Sequence, residues 1–408
     1  MSKFFRKLHL WVSIPFGIVI TITCFTGAML VFETEITALC NSGITAVEPG
    51  EKPLPLELLV EKVEQSLGDG VEVTGVSVSP NPSEAYKVNL SKPRRTAVYV
   101  NQYTGEVQGR YERLPFFDVM RRLHRWLMDS RPNDGGIFWG KMIVGASTLA
   151  FVAILITGLV IWWPRNRKML KNRVKVVTSK GWNRFWYDLH VAGGFYALLF
   201  LLAMALTGLT WSFEWYRNGF YSIFGEQVAQ SDVKPSREKN VTAQKAEQVI
   251  PVDSMRTETF GEAVVLADAV SSATVQATTG ATIQASDEQQ CRPWQQALEN
   301  VLAKTPSFET ITVSNGVVTV SPAGFGNKRA VDKYRFNEST GEITSAELYS
   351  NTTLRSKATG WVRTIHVGSW GGVFSKILYF MAALLGATLP LTGYYLWIKR
   401  LYGKRKKK

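Results

Sequence analysis

Four long apolar segments alternate with polar stretches along the 408 residues: Trp11–Phe32, Ile137–Trp163, His190–Phe213 and Val373–Trp397. Each is long enough to cross a hydrocarbon core of about 30 Å as a helix rising ~1.5 Å per residue. No segment carries an acid or a base near its centre. The polar stretches have different periods. Leu56–Leu67 repeats its apolar residues at helical spacing, and Val71–Val78 and Tyr86–Leu90 alternate as strands do. Each excursion therefore predicts a small α+β module. The second is longer, and its Ala/Thr/Ser/Gln-rich stretch Ala263–Gln290 reads as a loop or insertion.

The pattern occurs twice. His9 precedes Thr26-Gly27 by 17 residues and Glu33 by 24; His190 precedes Thr207-Gly208 by 17 and Glu214 by 24. The second and fourth apolar segments match as well, through Thr157-Gly158 followed by Trp162 and Thr392-Gly393 followed by Trp397. Outside them, Tyr99–Val107 matches Tyr334–Ile343, each a strand, a Gly-containing turn and a further strand. Residues 1–180 and 181–408 are thus two copies of one helix–domain–helix unit. Both copies start on the same side, so the axis relating them lies along the membrane normal. The predicted fold is a membrane protein: an all-α bundle of four transmembrane helices from two parallel repeats, with two small α+β extracytoplasmic domains.

Charge sets the orientation. The formal net charge is +14, a balance that elsewhere suggests nucleic acid. Here the excess clusters beside the apolar segments: Lys3, Arg6 and Lys7 at the start, eight Lys or Arg between Arg165 and Arg184, and Lys404–Lys408 at the end. Placing these in the cytoplasm puts both modules outside. The first segment runs long and lacks a small-residue cleavage site, so it reads as a retained helix. The resulting division is helix 1 with its cytoplasmic start (1–33), first outer domain (34–115), interfacial segment and helix 2 (116–164), basic cytoplasmic loop (165–187), helix 3 (188–215), second outer domain (216–360), interfacial segment and helix 4 (361–398) and basic tail (399–408). Arg121, Arg122 and Arg125 break the charge rule on the outer side. Three cysteines without a CxxC exclude a zinc ribbon, a usual iron–sulfur site and covalent haem attachment. Cys40 and Cys291 both fall outside and are a candidate disulfide; Cys24 packs within helix 1.

The chain has only four histidines. His9 and His190 stand at equivalent cytoplasmic ends of helices 1 and 3. His124 and His366 stand just outside helices 2 and 4, on the opposite face. Symmetry pairs His9 with His190 and His124 with His366 across the axis. Opposed neutral imidazoles in a helical bundle suit axial ligation of haem iron. Arg122, Arg125 and Arg363 are candidate propionate contacts, with Arg121 and Lys7 nearby. Gly193-Gly194, Gly371-Gly372, Gly17 and Gly27 are candidate small surfaces for the macrocycles. For a single histidine, an interfacial anchor or helix cap is the commoner explanation; four in symmetric places favour ligation. Thr-Gly by itself points equally to helix packing, and the aromatics to an interfacial belt. Two histidines without carboxylates or cysteines do not complete a zinc or non-haem iron shell. One haem near each face makes a wire across the bilayer. No GxGxxG stands between a strand and a helix, so no flavin or nicotinamide site is expected and the donor is a quinol or a partner protein.

These residues resemble a bacterial family, the PepSY-associated transmembrane-helix proteins, over nearly the whole chain. The carriers are Lys7-Leu8-His9-Leu10-Trp11 with Thr26-Gly27, Leu123-His124-Arg125-Trp126, Trp162-Trp163-Pro164-Arg165, Asp188-Leu189-His190 with Thr207-Gly208, and Ile365-His366 with Gly371-Gly372. The turns Thr104-Gly105-Glu106-Val107 and Thr340-Gly341-Glu342-Ile343 are similar to the PepSY signature, which makes the two outer domains PepSY-like. The family includes iron-regulated inner-membrane proteins and siderophore-iron reductases with two b-type haems. The resemblance therefore implies two b-type haems held by His9, His124, His190 and His366, an inner-membrane location, and reduction of a periplasmic ferric siderophore or chelate with release of Fe(II). A non-redox alternative stays open: a membrane-anchored PepSY binding module that regulates a protease or sensor. It predicts a colourless protein. Transport between the repeats ranks last, because the helix centres carry no charge.

Overall fold

A computed structural model describes residues 2–67, 70–93, 96–133, 135–225, 293–324 and 326–405. The stretch Ala263–Gln290 and Cys291 lie outside the described residues; Cys40 is exposed.

The first repeat runs through helices α1 (Ser2–Val31), α2 (Glu33–Cys40), α3 (Ser42–Thr45) and α4 (Leu56–Ser66). Strands β1 (Val73–Val78), β2 (Tyr86–Leu90), β3 (Ala97–Val100) and β4 (Val107–Arg110) follow, then α5 (Pro115–Trp126) and α6 (Trp139–Trp162). A short α7 (Arg167–Arg173) crosses to the second repeat. That repeat begins with α8 (Trp182–Asp188), a π-helical turn (Leu189–Gly193) and α9 (Gly194–Ser212), a single span broken only by the π turn. It continues through α10 (Glu214–Ser222), α11 (Trp294–Leu302), β5 (Thr310–Ser314), β6 (Val317–Ser321), β7 (Asp332–Phe336), β8 (Ile343–Glu347), α12 (Leu354–Val367) and α13 (Gly372–Arg405).

Among the described residues, four helices are long and apolar enough to cross a membrane: Lys3–Val31, Trp139–Trp162, Trp182–Ser212 and Ser369–Tyr402. The chain is a multi-pass membrane protein. The helices form an antiparallel ring in which α1 touches α6 and α13, and α9 touches the same two. Their shared core holds Ile20, Phe151, Leu155, Leu201 and Ala382. Two spans are longer than their apolar cores. The third starts at Trp182, inside the basic loop, and the fourth runs to Arg405, through the basic tail. Hydropathy stops where charge begins, but a helix does not. Arg184 bonds buried Asp188 one turn on at 2.7 Å, which carries the helix into the loop.

The outer region differs from two separate modules. Among the described residues, eight strands form one antiparallel sheet in the order β4-β3-β2-β1-β5-β6-β7-β8. The seam is β1 against β5, with Val76 opposite Val313 and Ser77 opposite Thr312. Strand periodicity reports which face is buried, not which edge is paired. An isolated four-stranded module would expose β1 or β5 as an open edge, and pairing the two removes both edges. Gly75 permits the approach, since a methyl there would lie 2.8 Å from the Val313 carbonyl oxygen. Helices α4 and α11 cover one face and supply Leu59, Val63, Trp294 and Val301 to a common core with both halves of the sheet. Neither helix caps its own N-terminus. Instead the Leu56 N–H donates to Gln295 Oε1 at 3.3 Å, and the Gln295 N–H donates to Glu57 Oε1 at 2.8 Å. Each repeat thereby satisfies orphan donors of the other.

The matched turns superimpose in detail. Gly105 and Gly341 sit at φ 77° and 74°, and each donates to the carbonyl four residues earlier (Asn101, Asn337) at 2.8 Å. Only glycine takes that left-handed position without cost.

Candidate functional site: two histidine pairs on the bundle axis

The four histidines come together as two pairs. His9 and His190 face each other with ring centres 6.4 Å apart and planes at 88°. His124 and His366 do so at 6.1 Å and 64°. Each pair joins diagonal elements of the bundle, one imidazole from each repeat. The two levels are separated along α1 by the 17 residues from His9 to Thr26, about 25 Å at ~1.5 Å per residue.

One local rule positions all four rings. His9 Nδ1 lies 3.1 Å from the Ile154 carbonyl oxygen and 3.1 Å from Thr157 Oγ1. His124 Nδ1 lies 2.9 Å from the Thr23 carbonyl and 3.4 Å from Thr26 Oγ1. His190 Nδ1 lies 3.2 Å from the Leu389 carbonyl and 2.9 Å from Thr392 Oγ1. His366 Nδ1 lies 3.0 Å from the Met204 carbonyl and 3.1 Å from Thr207 Oγ1. In every case the carbonyl belongs to the residue three before the threonine. The threonine hydroxyls spend their own protons on helix carbonyls, at 2.6–2.8 Å. Each Nδ1 therefore meets acceptors only and must carry the proton. Nε2 is left as a lone pair, the form in which imidazole binds metal.

The following glycine completes the seat. A methyl on Gly27 would come within 2.9 Å of His124 Cε1, and one on Gly208 within 3.2 Å of His366 Cε1. At Gly158 and Gly393 the distances to His9 and His190 Cε1 are 3.3 Å and 3.6 Å. Thr-Gly is thus the histidine seat, a role that helix packing alone does not predict. The signal was its recurrence once per histidine. Within each repeat the seats are exchanged: α1 seats the ring that precedes α6, and α6 seats the ring on α1. The other glycines proposed as macrocycle surfaces do other work. Gly193 and Gly194 pack on Leu385 and Leu389, Gly17 on Tyr394, and Gly371 on Ser375.

The outer pair opens on a cavity of about 1200 Å³, lined by His124, His366, Gly27, Gly208, Trp126 and Trp211 among others. Trp211 stacks edge-on against His366 with ring centres 5.0 Å apart. Burial holds the His124 imidazole below its usual range. It pushes His366 down to about 3, with the His124 ring and then Arg363 adding to the effect. Both rings are neutral at pH 7. Arg122, Arg125 and Arg363 all line the cavity. The Arg122 guanidinium donates to the Met128 carbonyl at 3.3 Å, and Arg125 lies over the Trp126 ring at 4.7 Å. Arg121 is committed to Glu33 and to Asp118. Glu33 is therefore an ion-pair partner rather than a free carboxylate at a helix end. Of the other tryptophans, Trp11 is 70% exposed, as an interfacial anchor is.

This arrangement selects a kind of ligand. Among the described residues no cluster of three or more His, Cys, Asp or Glu could hold a metal ion. Each pair offers two nitrogens in opposition, so a metal held there must bring its remaining ligands. The ring centres are 6.4 Å and 6.1 Å apart, so a metal ion that brings its other ligands would find an imidazole from each repeat within reach at both levels. A planar tetradentate macrocycle would fit the donor set, and its acidic edge would fit the arginines.

The family described as the PepSY-associated TM region matches residues 6–400, which takes in all four histidines and all four Thr-Gly seats. The chain belongs to this family. No curated protein matches it significantly. Membership covers the bundle and the outer sheet together, so the continuous eight-stranded sheet stands within the matched PepSY-associated region.

Proposed function

We propose that this PepSY-associated membrane protein binds two b-type haems and conducts electrons across a bacterial inner membrane to a periplasmic ferric siderophore or chelate, releasing Fe(II). The single observation that carries the reading is the fourfold histidine seat: opposed imidazoles, each with Nδ1 protonated against a carbonyl and a threonine. His9 and His190 would hold the inner group, and His124 and His366 the outer. Bound haem iron supplies a one-electron couple at each level. The chain does the rest. The threonines and carbonyls fix each ring's tautomer and direction. The apolar bundle core excludes water between the levels. Arg122, Arg125 and Arg363 offer charge-assisted hydrogen bonds to propionates at the outer mouth. Positive residues at both termini and around α7 favour the cytoplasmic side for those ends, where a quinol or a partner protein would be the donor. The non-redox alternative, an anchored module that regulates a protease or sensor, leaves the repeated seats without a purpose.

The test is spectroscopic. Purified protein from haem-replete cells shows a Soret band and two haems per chain; a colourless protein overturns the cofactor. Adding a ferric siderophore anaerobically to dithionite-reduced protein, freed of excess reductant, reoxidises the spectrum. A spectrum that stays reduced overturns the substrate class alone.

The seats make a finer prediction. Thr207→Val keeps the Met204 carbonyl as acceptor but removes the second anchor of His366. Haem transfer from the outer site to an apo-haem acceptor protein then speeds up by about tenfold or more, the usual scale for losing an outer-shell partner. Thr392→Val does the same at the inner site.

A further inference from the structure

The two sites carry unlike charge, although the repeats that build them are alike. At the outer site, three arginines accompany His124 within three residues: Arg121, Arg122 and Arg125. Arg363 precedes His366 by three. The cavity wall presents six cations against two carboxylates, Glu33 and Asp129. Both Asp129 oxygens are occupied by backbone N–H groups, of Ser130 at 2.8 Å and Gly140 at 2.7 Å. The cations feel one another. Arg363 is held below its usual range by burial first and then by Arg329, Arg121 and Arg125, with Glu33 opposing. Arg125 is depressed by burial and by Arg121. Both carboxylates of a porphyrin would leave this wall still cationic.

The inner site is different. The residue two before His190 is Asp188, only 2% exposed and bonded to Arg184 at 2.7 Å. The equivalent residue before His9 is Lys7, which is exposed, as is Arg6. Arg122, Arg125 and Arg363 are exposed as well, so water and salt weaken their fields, but they line one cavity wall together with both outer histidines. The charge beside His190 in the sequence, Asp188, is a buried anion already in an ion pair with Arg184. At the outer site the surplus is positive.

Cationic surroundings stabilise the form of a redox group that has gained an electron. We infer that this asymmetry sets the direction of electron flow: the chain holds the outer site at a higher reduction potential than the inner one, so that a single electron added to the pair resides on the outer group and transfer from the cytoplasmic side outward runs downhill. The inference rests on the two-haem reading and adds to it an order of potentials that histidine ligation does not fix, since both sites have the same ligands.

An equilibrium redox titration of the purified protein, followed in the visible band, tests it. Two components are expected, and the higher-potential one is the component missing from His124→Ala protein. Removing outer charge with Arg363→Gln and Arg125→Gln together changes the oxidised-to-reduced ratio of that component at fixed ambient potential by about tenfold toward the oxidised form. That equals ~59 mV for a one-electron couple. The inner component stays in place. Arg363→Lys, which keeps the charge, stays near the parent potential. If the component missing from His124→Ala protein is the lower one, or if Arg363→Lys shifts it as far as Arg363→Gln, charge does not set the order and the inference is overturned. Those outcomes leave the haems intact. Absence of any Soret band overturns the two-haem reading instead, so the two failures are distinguishable. Correct folding of the variants is read independently from an unshifted inner component.

Discussion

On the proposed two-haem function, replacing His366 by alanine should lower the haem content from about two per chain to about one and stop transmembrane electron transfer. The ring would be one of two ligands to the outer group, and its partner His124 is held on α5 at a ring-centre distance of 6.1 Å. Without the second nitrogen, the outer group keeps a single protein ligand in a cavity that opens outward. The inner pair sits about 25 Å away, by the rise along α1, and shares no seat with it, so its absorbance remains. His190→Ala gives the mirror result, and the double variant is colourless. The readouts are pyridine haemochrome content per chain and reoxidation of proteoliposomes loaded with internal reductant by an external ferric chelate. Each single variant drops that transfer to the rate of protein-free vesicles, because a wire with one relay missing does not conduct. Retention of two haems in either single variant refutes ligation by that pair.

These expectations depend on knowledge of two kinds. The pairing of His9 with His190 and of His124 with His366 was legible from the spacing alone, because a repeated sequence with parallel orientation implies an axis, and equivalent residues must face across it. The strands were legible too: the alternation in Tyr86–Leu90 gives β2 its bounds. The seam of the sheet was not. Val76 and Val313 pair across more than two hundred residues, and nothing in either strand's alternation names its partner. The seats were half legible. Thr-Gly recurs with each histidine, yet the same dipeptide serves close helix packing in membranes. What decides is that Thr26 lies beside His124 rather than beside His9, which shares its helix. That exchange depends on α1 and α6 being adjacent and antiparallel, a tertiary fact. The bounds of the third and fourth spans were misread for a simpler reason: Arg184, Lys399 and Arg400 are charged but helical, and hydropathy reads charge as an end.

The glycines of the four seats give a graded experiment. In an ordinary helix, Gly→Ala gains about 1 kcal/mol, so each substitution on its own would firm the bundle. The histidine reverses that gain where the new methyl meets it. At Gly27 the methyl would stand 2.9 Å from His124 Cε1, closer than such contacts allow. The ring cannot simply turn away, because the Thr23 carbonyl holds its Nδ1 at 2.9 Å. Gly27→Ala therefore tips His124 off the axis and empties the outer site. Gly208→Ala at 3.2 Å and Gly158→Ala at 3.3 Å force smaller displacements and loosen the outer and inner sites respectively. At Gly393 the methyl lies 3.6 Å from His190, an ordinary contact, and Gly393→Ala keeps both haems. Haem content should follow the order Gly393→Ala, Gly158→Ala, Gly208→Ala, Gly27→Ala from highest to lowest. Thermal unfolding of the haem-free proteins should show a cooperatively folded bundle in all four, with the largest cost at Gly27→Ala. A variant that loses haem because the bundle itself has come apart would fail that second measurement. An order unrelated to the four distances would mean that these glycines serve helix packing and that the imidazoles do not need the room.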